Sequence, residues 1–289
     1  MAVAQGDLPG AMRRLTDSLQ RFERLAASDP ANAEWQRDLS ISHDRLGKLA
    51  VAQGDLPGAM RHHTVRLAIA ERLAASDPAN AEWQRDLFIS WSKVSDVAVA
   101  QGDLSKAQQA YEQVLGVNQR LAASDPANAE WQRDLSISHD RLGKLAVAQG
   151  DLPGAMGRFT DSLAIAERLA ASDPANAEWQ RDLSVSHDRL GDLAVAQGDL
   201  PGAMRRFTDS LAIRERLAAS DPANAERQRD LSVSYVKLAD LSEKDSKPAD
   251  AKGWWRKAHD TLASMKQRGL HLSPEDEGFL DWLRAKLAQ

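Results

Sequence analysis

Ser28-Asp29-Pro30-Ala31-Asn32-Ala33-Glu34-Trp35-Gln36-Arg37-Asp38-Leu39 is repeated letter for letter at 76–87, 124–135 and 172–183, so that Trp35, Trp83, Trp131 and Trp179 stand 48 residues apart. A fifth copy, 220–231, differs only by Arg227 in the tryptophan position. Gly6, Gly54, Gly102, Gly150 and Gly198 keep the same period, and Leu241, Ala251 and Trp255 still follow Leu193, Ala203 and Phe207 by 48 residues. A fixed period of a few tens of residues marks stacked copies of one supersecondary unit, in which length counts units rather than globular cores.

The unit reads as two helices. Trp179, Leu183, Ser186, Leu190, Leu193 and Ala194 recur at steps of three and four and form one helical stripe, helix A. Either Asp173, followed by Pro174, or Asn176 can cap its start. Gln197-Gly198-Asp199 ends it, with Gly suited to a left-handed closing residue and Asp199 to the next cap. Ala203, Phe207, Leu211, Arg214 and Leu217 then continue as helix B until Ser220-Asp221-Pro222 restarts the cycle. Each helix spans about 22 residues, roughly 33 Å. Neither buries its stripe alone, so neighbouring units must stack.

Composition agrees with an all-α chain. Of its 289 residues 43% are hydrophobic, much of this Ala and Leu, the strongest helix formers. There is no cysteine, which excludes disulfides, thiolate chemistry and cysteine-type zinc sites and is compatible with a reducing compartment. Forty-two acidic residues are interspersed with 37 basic ones for a net charge of −5, and no basic block is present, which argues against a nucleic-acid partner held by phosphate contacts. The apolar stretches are too short and too amphipathic for a bilayer, and no signal sequence is evident; the expectation is a cytoplasmic protein without a membrane partner.

Leu190-Gly191 on helix A, Gly198-Asp199 in the turn, Ala203 and Phe207 on helix B, and Asp221-Pro222 with Asn224-Ala225-Glu226 between units resemble the tetratricopeptide repeat. The usual repeat is 34 residues. The surplus is placed as a heptad in each helix, which keeps the stripes nearly in phase, so the resemblance is to the long-helix branch of the family, similar to kinesin-light-chain-type repeats. It implies one right-handed α-solenoid of antiparallel helix pairs, a superhelix over 1–289. Its parts are an unpaired first helix B at 1–29, four repeats at 30–77, 78–125, 126–173 and 174–221, a divergent repeat at 222–270 and a C-terminal capping helix at 271–289. Ser273-Pro274-Glu275-Asp276 opens that last helix; Phe279, Leu280, Leu283 and Leu287 make its stripe, and Trp254, Trp255 and Trp282 a core for the cap.

Catalysis is not expected. Ser42-His43-Asp44, repeated at 138–140 and 186–188, resembles a triad in composition only, because consecutive helical residues point about 100° apart. His43, His139 and His187 lie in separate units, His62 and His63 diverge, and His187 with Asp188 lacks a third ligand, so neither metal nor cofactor is expected.

The resemblance points to a non-enzymatic scaffold binding a peptide or protein partner along the concave helix A face, as the sensing or recruiting part of a larger signalling protein. That face includes Arg181, Val185, Asp188, Asp192 and Val195. Stacking makes Arg37, Arg85, Arg133, Arg181 and Arg229 a basic row, with Ile41, Ile89, Ile137, Val185 and Val233 an apolar row beside it. The same residues also suit inter-repeat packing and pairing with neighbouring acids, and both readings stand. Asp44 and Asp140 precede Lys48 and Lys144 by four residues, a favourable pairing, whereas Asp188 precedes and repels Asp192; with Asp240 and Glu243, acidity gathers toward the C-terminal copies and suits a basic peptide. The second repeat, with Phe88, Trp91 and Tyr111, is the most individual interior copy.

At the N-terminus the first helix B lacks its helix A, leaving Leu8, Leu15, Leu19, Phe22 and Leu25 with apolar surface to cover. Either the natural chain extends upstream or a second subunit supplies the cover, which makes a homodimer or self-assembling solenoid the alternative role.

Overall fold

The computed structural model describes residues 8–288, except for the side chains of Leu8, Pro9 and Ala11. Among the described residues there are twelve α-helices and no strand. Those of helix A type are α2 (Ala33–Ala52), α4 (Ala81–Ala100), α6 (Ala129–Ala148), α8 (Ala177–Ala196), α10 (Ala225–Lys244) and α12 (Pro274–Leu287). Those of helix B type are α1 (Leu8–Ser28), α3 (Leu56–Ser76), α5 (Leu104–Ser124), α7 (Leu152–Ser172), α9 (Leu200–Ser220) and α11 (Pro248–Gln267). The chain divides into two compact units, one up to Leu145 and one from Ala146. In each, a helix packs on its neighbours in sequence, as α2 on α3 and α3 on α4, or α8 on α9 and α9 on α10.

Of the two possible caps for helix A, Asn is used. The side chain of Asn176 accepts the backbone N–H groups of Glu178 and Trp179, Asn80 does the same with Glu82 and Trp83, and Asn32 accepts that of Trp35. The preceding aspartate closes the turn instead: Asp173 Oδ1 accepts Ala175 N–H at 3.0 Å. At the other end, Gly198 takes a φ of +79°, Asp199 N–H bonds back to Ala194 O at 2.9 Å, and the Asp199 carboxylate accepts Gly202 N–H to start α9.

The repeated block earns its sameness through a glutamine. Gln84 Nε2 donates to Ala74 O at 3.2 Å and Gln180 Nε2 to Ala170 O at 3.0 Å, satisfying a terminal carbonyl of the preceding helix B, and Gln36, Gln132 and Gln228 repeat the bond. Trp35, Trp83, Trp131 and Trp179, expected on the packing stripe with Leu and Ala, are only half-buried. Helix A is instead cored by small residues: Ser42, Ser90, Ser138 and Ser186 are buried, each hydroxyl donating to the carbonyl four residues back, and let helices approach.

In the first unit Ala59, Leu67, Val94, Val97, Tyr111 and Leu115 are at the centre of one apolar cluster. In the second, Phe207, Leu211, Leu238, Trp255, Leu280 and Leu283 join α9 to α12. The last helix begins with a reciprocal capping box between Ser273 and Asp276. Of the three tryptophans expected to core this end, Trp255 is buried, Trp254 half-buried and Trp282 exposed, stacked on Phe279 at 5.4 Å.

Candidate functional site

The arginine row of helix A is an inter-repeat ladder. Arg37 reaches forward to Glu82 at 2.7 Å and Asp86 at 2.8 Å on α4, Arg85 to Glu130 at 2.6 Å, and Arg181 to Glu226 at 3.1 Å and Asp230 at 2.6 Å. Arg229 reaches Asp276 on α12 at 3.0 Å, and Arg133 is engaged as well. The bonds to Asp86 and Asp230 hold the guanidinium groups of Arg37 and Arg181 more firmly protonated than usual, against a smaller opposing effect of burial. Arg37, Arg85, Arg181 and Arg229 therefore join consecutive copies within their units.

Beside the ladder the apolar row is open. Ile41 is 37% and Val233 41% exposed, with Ile89, Ile137 and Val185 half-buried. A second open row lies near the helix ends in the first unit, where Val51 and Val99 are 45% and 43% exposed.

The acidic positions divide. Asp188 is not on the open face: it is buried and pairs with Arg214 of α9 at 2.7 Å, as Asp44 pairs with Arg66 of α3 at 3.1 Å. Arg214 also donates to Ser184, Ser234 and the Asp230 carbonyl. Its column holds Ala70, Asn118 and Ala166 in other copies; Asn118 makes the equivalent bonds, donating to Asp134 O and Ser138 Oγ, so only the ion pair with Asp188 is private to α9 in this column. The expected repulsion between Asp188 and Asp192 is relieved because Asp192 is bound by Lys237 of α10. Glu243 is held by Lys286 and Trp255, which keep its carboxyl below the ordinary glutamate range. Asp240 is exposed, and partial desolvation with Glu243 nearby raises its pKa. The C-terminal acids are thus mostly matched by bases, and the acidic end expected from the sequence is largely neutralised.

A column that the sequence reading missed supplies part of this matching: Arg45, Lys93, Arg141, Arg189 and Lys237, basic in every copy. Arg141 lies 5.9 Å over the Tyr111 ring and reaches back to Asp96 at 3.4 Å. Lys237 lies 5.1 Å over the Phe207 ring and reaches back to Asp192. The signal was a base at every 48th residue, masked by the density of other charges. Asp192, Lys237, Phe207, Asp240 and Lys244 line a cavity of 200 Å³ on this face of the second unit.

The individual second repeat faces both ways. Tyr111 is buried, its hydroxyl donating to Asp96 and its pKa pushed up to about 12 by burial and then by that carboxylate. Trp91 turns away from the ladder and, with Leu87, Val117 and Leu121, lines a 470 Å³ cleft between α3 and α5.

The Ser-His-Asp tripeptide is dismantled into separate bonds: Ser42 Oγ donates to Asp38 O, Asp44 binds Lys48 and Arg66, and His43 Nδ1 lies 3.0 Å from His62 Nδ1. Burial lowers the His43 pKa to about 4, with His62 adding to it, and burial likewise lowers that of His63, which is 1% exposed, to about 4. No group of three metal-ligating side chains occurs among the described residues, and no described helix is long and apolar enough to cross a membrane.

On α1, Leu15, Leu19, Phe22 and Leu25 are half-buried, and the Leu8 side chain lies outside the described residues. In interior copies the columns of Leu15 and Leu19 are fully buried, as Tyr111 and Leu115 in α5 or Phe207 and Leu211 in α9.

The family model for the tetratricopeptide repeat matches residues 3–60, 95–152 and 147–200, more than half of the chain. No curated protein matches its sequence. Among solved structures, BtubC (BKLC) from P. vanneervenii is similar with a TM-score of 0.68 at 19% identity, over 92% of this chain and 94% of that one. RapI in its apo form gives 0.66 at 12% identity, over 95% of this chain and 65% of that one. A variant of a putative kinesin light chain of nearly identical repeats from Podosopora anserina gives 0.55 at 16% identity, over 78% and 95%. With its 48-residue helix pairs, glycine turns and Leu-Gly helix A, the chain belongs to the tetratricopeptide repeat family.

Proposed function

We propose that the protein is a non-enzymatic interaction scaffold that holds a peptide or protein segment against the open face of its A helices. The observation that carries this reading is a pair of aliphatic rows, exposed Ile41 beside half-buried Ile89 and exposed Val51 beside exposed Val99, set on helices fixed by ion pairs between copies. Exposed aliphatic rows flanked by charge suit a segment that contributes its own apolar side chains. The arginine ladder is support rather than contact surface, so the apolar row is the place to test. Partners captured by the full chain should be lost at least roughly tenfold on Ile41→Asp with Ile89→Asp. Retention at native levels, with helical content unchanged, would sink the proposal.

A second reading, self-association through α1, is favoured by one observation: columns buried in interior copies are only half-buried there. It requires a mass that rises with concentration in light scattering and falls on Leu19→Lys. A strict monomer over the whole range rejects it.

A further inference from the structure

Of the seven histidines in the chain, His43, His62 and His63 belong to the α2–α3 hairpin, and two of them meet across it. His43 Nδ1 lies 3.0 Å from His62 Nδ1, with ring centroids 5.3 Å apart and the rings tilted by 44°. In sequence His62 stands beside His63, from which it diverges; folding gives it His43, 19 residues earlier, instead.

The equivalent place in α8 and α9 shows what this pair replaces. There His187 faces Arg206 at 3.5 Å and Asp209 at 3.9 Å. The Arg206 column holds Arg14 and Arg158 in two other copies and Ala110 in α5, while the Asp209 column holds Val65 in α3. A guanidinium has no lone pair to offer and repels a cation, whereas a neutral imidazole offers one nitrogen as acceptor or ligand. With His62 and Val65 in place of arginine and aspartate, the hairpin loses a charged pair and gains two nitrogen donors within reach of a common point. Burial lowers the pKa of His43 to about 4 and lowers that of His62 as well, where Arg61 adds to the effect and Asp55 opposes it. At neutral pH both rings are in the form that binds metal.

We propose that His43 and His62 form a two-imidazole site for a divalent transition-metal ion of tetragonal geometry, copper(II) above all, with water in its remaining positions. The site is independent of the scaffold role. At a metal–nitrogen distance of about 2.0–2.1 Å, ligand atoms 3.0 Å apart subtend roughly 95°, whereas a tetrahedral pair stands about 3.3–3.4 Å apart. The smaller angle is that of neighbouring ligands on a square-planar or tetragonal ion, and copper(II) heads the affinity order of the divalent ions. No third His, Asp or Glu completes a cluster among the described residues, so water supplies the other ligands, and half-buried His62 leaves that side of the pair open to it. In the metal-free pair one Nδ1 carries a proton and donates it to the other. On binding, that proton passes through solvent to Nε2 of the same ring, both Nδ1 atoms ligate, and the ion keeps its oxidation state. An ion held in this way ties α2 to α3 and stabilises the folded chain.

The test is titration of the full chain, free of any histidine tag, with copper(II), followed by pulsed electron paramagnetic resonance, which counts the imidazoles on the ion. One equivalent should show two imidazoles, and the urea midpoint should rise on saturation. His62→Arg, which copies Arg158 and Arg206, and His62→Ala, which copies Ala110, should each weaken this copper at least roughly tenfold, remove the two-imidazole signal and abolish the rise. Both residues occur at this position in other copies, and circular dichroism verifies that the variants are folded. His271→Gln, at an exposed histidine outside the hairpin, should change neither signal nor midpoint. Zinc(II) should bind more weakly than copper(II). Absence of a two-imidazole signal in the native chain, its retention in His62→Arg, an affinity unmoved by His62→Ala, or zinc bound more tightly than copper would each overturn the site and leave the pair a hydrogen bond between neutral rings.

Discussion

Gly191 and Phe207 show how one missing methyl group fixes the spacing of two helices. A Cβ on Gly191 would stand 2.4 Å from the Phe207 ring, and one on Gly47 would stand 2.5 Å from the His63 ring. Gly157, exposed on α7, has nothing within 4 Å of such a Cβ. Substitution at Gly157 and at Gly191 should therefore differ in sign. Gly157→Ala should stabilise by up to about 1 kcal/mol through helix propensity, whereas Gly191→Ala should destabilise by about 1–3 kcal/mol through overpacking, both read as urea midpoints. His63 fills the same slot as Phe207 but titrates. Its folded pKa of about 4 lies below the usual 6.5, so as pH falls the unfolded chain takes up the proton first. Stability is complete above pH 6.5 and declines as pH falls from there toward 4, by about 2 kcal/mol from this ring at pH 5. His63→Phe should flatten that part of the pH profile; an unchanged slope would show that the ring is not held neutral.

For the elements, the period made helix number, order and turn chemistry legible, because Gly198, Asp199 and Pro222 act through backbone rules that need no tertiary information. The choice of cap was open in sequence, since Asp173 and Asn176 are both good caps; the Asx turn occupies one and leaves the other to the helix. Asn176→Ala should accordingly cost about 1 kcal/mol in thermal or urea unfolding. The site was legible only in part. Ile41 and Val233 are open as the helix period implied, but Asp188 is hidden because its partner Arg214 stands in a column that elsewhere holds Ala or Asn. The ladder was legible as one of two readings of the arginine row, but its particular partners were not, since Arg37 and Asp86 lie 49 residues apart and only stacking brings them together.

Across the whole molecule, stability follows how many neighbours each helix has. Within the first unit α1 packs chiefly on α2 among the described helices, while α3 lies between α2 and α4. Amide hydrogen exchange should therefore find α1 opening first, with protection at least about tenfold below that of α3. Equal protection would mean that α1 gains cover in solution.

The near identity of the copies also bears on how the chain reaches this arrangement. A hairpin stacked on the wrong neighbour buries nearly the same apolar surface as the right one, and such threading errors trap repeat proteins during folding. The α4–α5 pair breaks that degeneracy. It has Ser92 where α2 and α8 have Asp44 and Asp188, Ser95 where they have Gly47 and Gly191, and Val114 and Asn118 where α3 has Arg66 and α9 has Arg214. Pairing α3 or α9 with α4 in the place of α5 leaves a buried guanidinium opposite a serine, and pairing α5 with α8 in the place of α9 leaves the buried Asp188 without its guanidinium. Either fault costs about 3–5 kcal/mol. The odd repeat in the middle thus works as a frame marker that lets a chain of near duplicates fold in one order.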